Sequence, residues 1–244
     1  MSPREWDATT YDLVAAPMTA RGVELVDRLE LLGTEAVLDA GCGSGQVTAH
    51  LLTRLPEGRV IALDGSRTML DAAAERFGSD PRVTLVHADL GAPLPVEAGL
   101  DAIVSTSTFH WVLDHDVLFA NLAAVLRTGG VLEAECGGAG NIAGVLAIVD
   151  ELGEGVERTW TFATPRDTVR RLEAAGFSHA EAQLVPRPAV IPEAQLERHL
   201  STVVLGDHVG RLGAEAGARL VAAVAARMPE PVLDYVRLMI SARR

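Results

Sequence analysis

Residues Val37 to Gly45 read VLDAGCGSG. Two apolar residues lead into an acid, Asp39, and three glycines follow at alternate positions, Gly41, Gly43 and Gly45. The pattern predicts a short buried strand that breaks into a glycine-rich loop and opens a helix. Glycine has no Cβ, so it accepts positive φ and lets backbone approach a ligand closely. The free N–H groups at the start of the next helix then point at whatever sits on the loop. The stretch therefore predicts a nucleotide-like cofactor.

Outward from the loop, strands and helices alternate. The helix after it carries Val47, Leu51 and Leu55 on one face and stops at Pro56. RVIALD, Arg59 to Asp64, is a second apolar strand ending in an acid, with Ser66 placed to cap the next helix. RVTLVHADL ends near Asp89, and LDAIVSTS, Leu100 to Ser107, is the fourth strand. A helix over about 114–127, broken by Gly129 and Gly130, leads to a fifth strand ending at Glu135. Upstream, 5–32 reads as helical, with Val23, Val26, Leu29 and Leu32 inward and Gly33 as its C-terminal cap. Downstream, the spacing predicts helices near 142–152, from Thr164-Pro165, and over about 193–205 and 211–227. A broken strand is expected at 178–191, and a last one over VLDYVRLMIS. Such alternation argues a parallel α/β sheet with helices on both faces, whose ligands bind at the carboxyl ends of the strands. Asp39, Asp64, Asp89 and the segment Ser105 to His110 all fall at those ends.

The spacing also bears on which cofactor. The dinucleotide fingerprint needs a third glycine where this chain has Gln46. Asp64 lies roughly 20 residues past the loop, where an acid accepts ribose hydroxyls in either class of cofactor. Asp39 beside the loop would repel a pyrophosphate but suits a cationic ligand. The 244 residues are 48% hydrophobic and carry a net charge of −12, ample for a core and a poor match for a phosphate backbone. Nucleic acid is set aside on that ground. Two cysteines, Cys42 and Cys136, form no disulfide framework, and no His, Asp and Glu set has metal-ligand spacing, so no metal is expected. With no apolar run of bilayer length, the expectation is a cytoplasmic protein.

VLDAGCGSG, ALDGS and HADL together resemble the class I S-adenosylmethionine-dependent methyltransferases, in order and over about residues 5–135. The resemblance implies a doubly wound, seven-stranded, mostly parallel sheet of Rossmann-like kind, with the last strand inserted antiparallel. It implies S-adenosyl-L-methionine as cofactor, leaving as S-adenosyl-L-homocysteine. The glycine loop would lie under the methionine part. Asp64, with Gly65 and Ser66 beside it, would bind the ribose. Asp89 would bond the adenine amino group with Leu90 packed nearby, and Ser105 would lie near the methionine amine. EWDATTYD, FHWVLDH and TPRDTVRRLEAAGF further resemble the trans-aconitate methyltransferase-like, small-molecule branch. The expected organisation is one methyltransferase domain, 1–244, with its cofactor half over 33–136 and a small helical cap from about 1–32, 137–165 and 193–230.

His110 and Trp111 lie just past the fourth strand, where a substrate would sit. His110 reads as a general base or a hydrogen bond to the substrate, or else as a loop-ordering residue. Trp6 and Tyr11 read as a cover over cofactor or substrate, or as a lid on the sheet edge. Arg170 and Arg171 read as a solvated helix face, with a grip on a substrate carboxylate as the alternative. Two rivals remain: an NAD(P)-dependent oxidoreductase, and a non-catalytic binding protein on a methyltransferase-like fold. No oligomeric state follows from the sequence.

Overall fold

The computed structural model describes residues 5–6, 16–153 and 159–244. Tyr11 and the start of the first helix lie outside the described residues. Helix α1 spans Ala16–Val26, followed by β1 (Ala36–Ala40), α2 (Gln46–Arg54), β2 (Arg59–Asp64), α3 (Arg67–Phe77), β3 (Val83–His87) and β4 (Leu100–Thr106). A 3-10 turn, Phe109–Trp111, precedes α4 (His115–Val125) and β5 (Leu126–Gly137). Next come α5 (Ala143–Glu151), α6 (Pro165–Ala174), β6 (Ser178–Pro186), β7 (Ala189–Val190) and α7 (Glu193–His199). The chain ends with α8 (Gly206–Leu212), α9 (Ala214–Ala225), β8 (Val232–Leu233) and β9 (Val236–Arg243).

Seven strands form one sheet in the order β3-β2-β1-β4-β5-β9-β6. The first five pair in parallel, and β9 inserts antiparallel between β5 and β6. The switch of direction between β1 and β4 puts a crevice at their carboxyl ends, where the glycine loop leaves β1. All five residues of β1 are buried, as a central strand covered by helices on both faces requires. A second apolar cluster joins α5, α7, α8 and α9 with Trp160 and Tyr235, and Trp111 and Phe162 pack against it. It stands over the carboxyl end of the sheet through the 160–163 segment, where Gly138 bridges Ala163 and Thr161 N–H donates to the His110 carbonyl at 2.7 Å.

Several boundaries differ from the sequence pattern, and VLDYVRLMIS, expected as one strand, divides into β8, which pairs with β7, and β9 of the main sheet. Helix α1 ends at Val26, and Leu32 is 91% exposed where it was expected to face inward. Asp27 instead leaves the helix to hold His50 at 2.9 Å and Arg54 at 3.0 Å, and Gly33 sits in a turn whose N–H donates to Glu35. Strand β5 spans Leu126–Gly137 rather than the expected Gly129 to Glu135. Leu126 and Val131 both pair with β4, and the residues between them bulge out with Gly129 at φ +77°.

Candidate active site

Each loop glycine has its own physical reason. Gly45 precedes α2 at φ +84°, and a Cβ there would lie 2.4 Å from the Phe77 ring. Gly41, at φ +83°, would strike the Thr108 side chain at 2.1 Å. Gly43, at φ +55°, has open space over it, the nearest atom being Met69 Sδ at 4.0 Å. Gly43 therefore presents bare backbone to a cavity. That cavity, of about 440 Å³, is bordered by Asp39, Gly41, Gly43, Gln46, Thr106 and Ser107 among others. Gly41→Ala is expected to destabilise the fold by about 2–4 kcal/mol, from left-handed strain plus overlap. A thermal melt checks this; an unchanged Tm would contradict the packing described.

Two acids, Asp39 and Asp64, flank the loop, and a third, Asp89, stands past β3 at the sheet edge. Asp39 is 1% exposed and accepts the Thr48 hydroxyl at 2.6 Å. Burial, helped by the charge of Asp64, pushes its carboxyl up to about 7. Asp64 accepts the Gly43 N–H at one oxygen and the Ser66 N–H at the other, both at 2.8 Å. Burial also raises its pKa. Ser66 caps α3 by accepting from Met69 N–H, and the Gly65 carbonyl meets His87 Nε2 at 3.0 Å. Asp89 accepts from Gly91 N–H at 2.8 Å just past β3. Leu90 beside it is buried, its carbonyl held by the Asn121 amide at 3.0 Å. Ser105, fully buried, donates to the Ala40 carbonyl at 2.6 Å and so ties β4 to β1 below the loop.

A second cavity, of about 540 Å³, adjoins the first, and Ser107 borders both. Trp6, His110 and Trp111 line it, together with Trp160, Phe162 and Tyr235. Trp6 reaches it because Glu5 accepts from Ser66 Oγ at 2.9 Å and from the first N–H groups of α3, while Thr68 Oγ1 donates to the Trp6 carbonyl. Trp6 then meets Trp111 edge-on at 5.3 Å. Arg170 and Arg171 are not among the lining residues; Arg171 Nε stands 3.6 Å from Asp116 on the α4 surface.

His110 is buried, and its Nδ1 accepts from Gly137 N–H at 3.3 Å. Burial, with the nearby charges of Arg237 and His115, holds its pKa well below the usual histidine value. The ring is neutral, and its proton sits on Nε2.

Ser107, which borders both cavities, belongs to a charged group that the sequence pattern did not reveal. Arg237 Nε and Nη2 donate to Glu135 at 2.7 and 3.0 Å, and Nη2 also reaches Ser107 Oγ at 2.8 Å. Ser107 Oγ donates to Glu135 at 2.9 Å, and Arg21 Nε lies 3.6 Å from the same carboxylate. Burial pulls the Glu135 pKa up, but Arg237, Arg21 and the Ser107 hydroxyl outweigh it and keep the group below its ordinary value. Ser107 sits at φ +57°, a left-handed conformation that a serine seldom adopts. One signal was available: Arg237 is a charge inside an apolar strand, and a buried charge needs a partner.

Residues 37–130 match the family described as "Methyltransferase domain". An uncharacterized methyltransferase of Schizosaccharomyces pombe is 29% identical over 199 residues, covering 76% of this chain and 75% of that protein. The trans-aconitate 2-methyltransferase of Acidovorax ebreus is 36% identical over 131 residues, which is 54% of this chain and 49% of that one. The chain thus spans about half the length of the trans-aconitate 2-methyltransferases it matches. In fold it is similar to a Haemonchus contortus phosphoethanolamine N-methyltransferase 2 solved with S-adenosylhomocysteine. The TM-score is 0.68 at 16% identity, over 97% of this chain and 56% of that one. Glycine loop, strand-end acids, sheet order and sequence relatives agree: residues 37–130 form a methyltransferase domain of the class I, S-adenosylmethionine-dependent kind, and the chain is similar to the trans-aconitate 2-methyltransferases over 54% of its length.

Proposed function

We propose that this protein transfers a methyl group from S-adenosylmethionine to a small organic molecule held in the aromatic cavity. The observation that carries the reading is the pair of adjoining cavities meeting at Ser107, one under the glycine loop and one under the aromatic residues. The cradle fits the cofactor. Gly43 has room above it, and the buried Asp39 carboxylate beside it is short of a positive partner. Asp39 and the loop backbone would face the methionine part, Asp64 the ribose, and Asp89 with Leu90 the adenine. When bound, S-adenosylmethionine supplies an electrophilic methyl on a sulfonium that is itself the leaving group. The protein's work is then to align an acceptor and exclude water. Trp6, Trp111, Trp160 and Phe162 enclose the acceptor, with the α7–α9 helices as a cap over the single domain.

In this reading His110 holds the substrate and does not deprotonate it. Its Nδ1 is engaged by Gly137, so Nε2 can donate a hydrogen bond to the acceptor molecule. Glutamine keeps an N–H near the Nε2 position. His110→Gln is therefore expected to retain most of kcat/KM, and His110→Ala to lose about tenfold or more, as for one hydrogen bond of roughly 1.5 kcal/mol. Equal loss in both variants, with disappearance of a pH-rate limb near neutrality, would restore the general-base role.

The function is tested by incubating the protein with S-adenosylmethionine carrying a labelled methyl and a mixture of small organic acids. Label is expected in a small-molecule product, and Asp64→Asn is expected to suppress it. Label in no small molecule, while S-adenosylhomocysteine still binds, would overturn the reading.

A further inference from the structure

Building on the reading that the aromatic cavity takes the methyl acceptor, we propose that the acceptor is a flat, aromatic or conjugated acid with a single carboxylate, and not a polycarboxylate. The chain has three tryptophans, and all three, Trp6, Trp111 and Trp160, line this one cavity. Phe162 and Tyr235 join them. Trp111 meets Trp6 edge-on at 5.3 Å and Trp160 edge-on at 6.0 Å, and Trp160 stacks on Phe162 at 5.7 Å. The sheet core is filled by other residues, with Phe109, Phe119 and aliphatic side chains at its centre. The rings around the cavity therefore form a wall of flat faces and edges, a surface that selects planar π systems.

The polar lining is Arg21, Ser107, Asn141 and Arg237, alongside His110. Glu135 and Ser107 engage Arg237 at Nε and Nη2, and no described residue takes the Nη1 hydrogens of this cavity-lining guanidinium. Among the described residues, no carboxylate lines the cavity, and the two guanidiniums outnumber the one carboxylate behind them, Glu135, so one anionic group docked at the arginines meets donors and a net positive charge. The remaining wall offers Ile142, Val203, Val204 and the rings. With the arginines taken by one carboxylate and His110 by the methyl-accepting group, a second or third carboxylate would lie mostly against that apolar surface and lose hydration that Asn141 alone replaces. The trans-aconitate 2-methyltransferases are named for a tricarboxylate; this cavity suits one charge and one flat body.

The test is calorimetric titration of the protein saturated with S-adenosylhomocysteine. The probes are benzoate, trans-cinnamate and indole-3-carboxylate, against trans-cinnamamide and trans-aconitate. At least one of the three monocarboxylates is expected to bind ten times more tightly than trans-aconitate, and trans-cinnamamide to bind ten times more weakly than trans-cinnamate. Trp160→Leu, remote from the ion pair, is expected to weaken the aromatic acid at least fivefold while S-adenosylhomocysteine affinity stays unchanged. If none of the three acids outbinds trans-aconitate, or the amide matches the acid, the proposal falls. Failure of S-adenosylhomocysteine itself to bind would instead strike at the methyltransferase reading.

Discussion

Asp39→Asn is expected to raise the melting temperature of the cofactor-free protein at pH 8 and, in the same variant, to weaken S-adenosylhomocysteine binding. The carboxyl is buried, and its pKa rises from 3.8 to about 7 in the folded chain. Between those values the folded protein binds the proton more tightly than the unfolded chain does. Stability from this group is therefore full below pH 4, falls as pH rises towards 7, and stays lost above it. The shift corresponds to a penalty of roughly 4 kcal/mol at pH 8, at about 1.36 kcal/mol per unit. Asparagine keeps an oxygen for the Thr48 hydroxyl, which donates at 2.6 Å, and removes the charge. A gain of even half the penalty moves Tm by several degrees, at about 2–4 °C per kcal/mol for a chain of this size. The gain should shrink as the melts are repeated towards pH 5. The same charge is proposed to face the methionine part of the cofactor, and its loss is expected to weaken binding about 10- to 100-fold, as for a charged hydrogen bond of roughly 1.5–3 kcal/mol. A variant less stable at pH 8, or binding as tightly as the parent, would contradict the role.

Glu135→Ala is expected to be the most damaging single change at the site. Glu135 is 1% exposed and Arg237 4% exposed, and the two are joined by paired hydrogen bonds across the antiparallel β5 and β9. Removing the carboxylate leaves a buried guanidinium without its partner, at a cost of about 3–5 kcal/mol. Chemical denaturation of the variant measures this. The double variant Glu135→Leu, Arg237→Met removes both charges and is expected to recover most of that loss, since apolar replacement of a buried pair is often neutral. It should still lose binding of the acidic acceptor, because the guanidinium is gone. If the double variant is as unstable as the single one, the buried charge is not what makes the single change costly.

The fold was legible where local pattern and topology coincide. Each parallel strand of the first half ends at an acid or a polar turn, and short connections leave one arrangement in which those ends meet. Asp39, Gly43 and Asp64 could thus be brought together from sequence, because a strand–loop–helix unit fixes its own geometry within a few residues. The substrate side was less legible. Glu135 and Arg237 stand 102 residues apart, and their contact depends on the register that pairs Gly137 with Arg237 and Glu135 with Met239. No local spacing encodes that register. Trp160 and Phe162 lie in a segment without strong periodicity, and they reach the cavity through the bridge from Gly138 to Ala163 and the Thr161 bond to His110. His110 was located correctly at the end of β4. Its tautomer depended on Gly137, a residue whose position only the folded sheet supplies.

The glycine loop lacks the third glycine of the dinucleotide fingerprint and carries Asp39 beside it, features that suit S-adenosylmethionine rather than a dinucleotide. Calorimetric titration of the purified protein with S-adenosylhomocysteine and, separately, with NAD tests this most directly. Saturable one-to-one binding of S-adenosylhomocysteine, weakened by Asp39→Asn, is expected, with no binding of NAD. Binding of NAD with none of S-adenosylhomocysteine would contradict it.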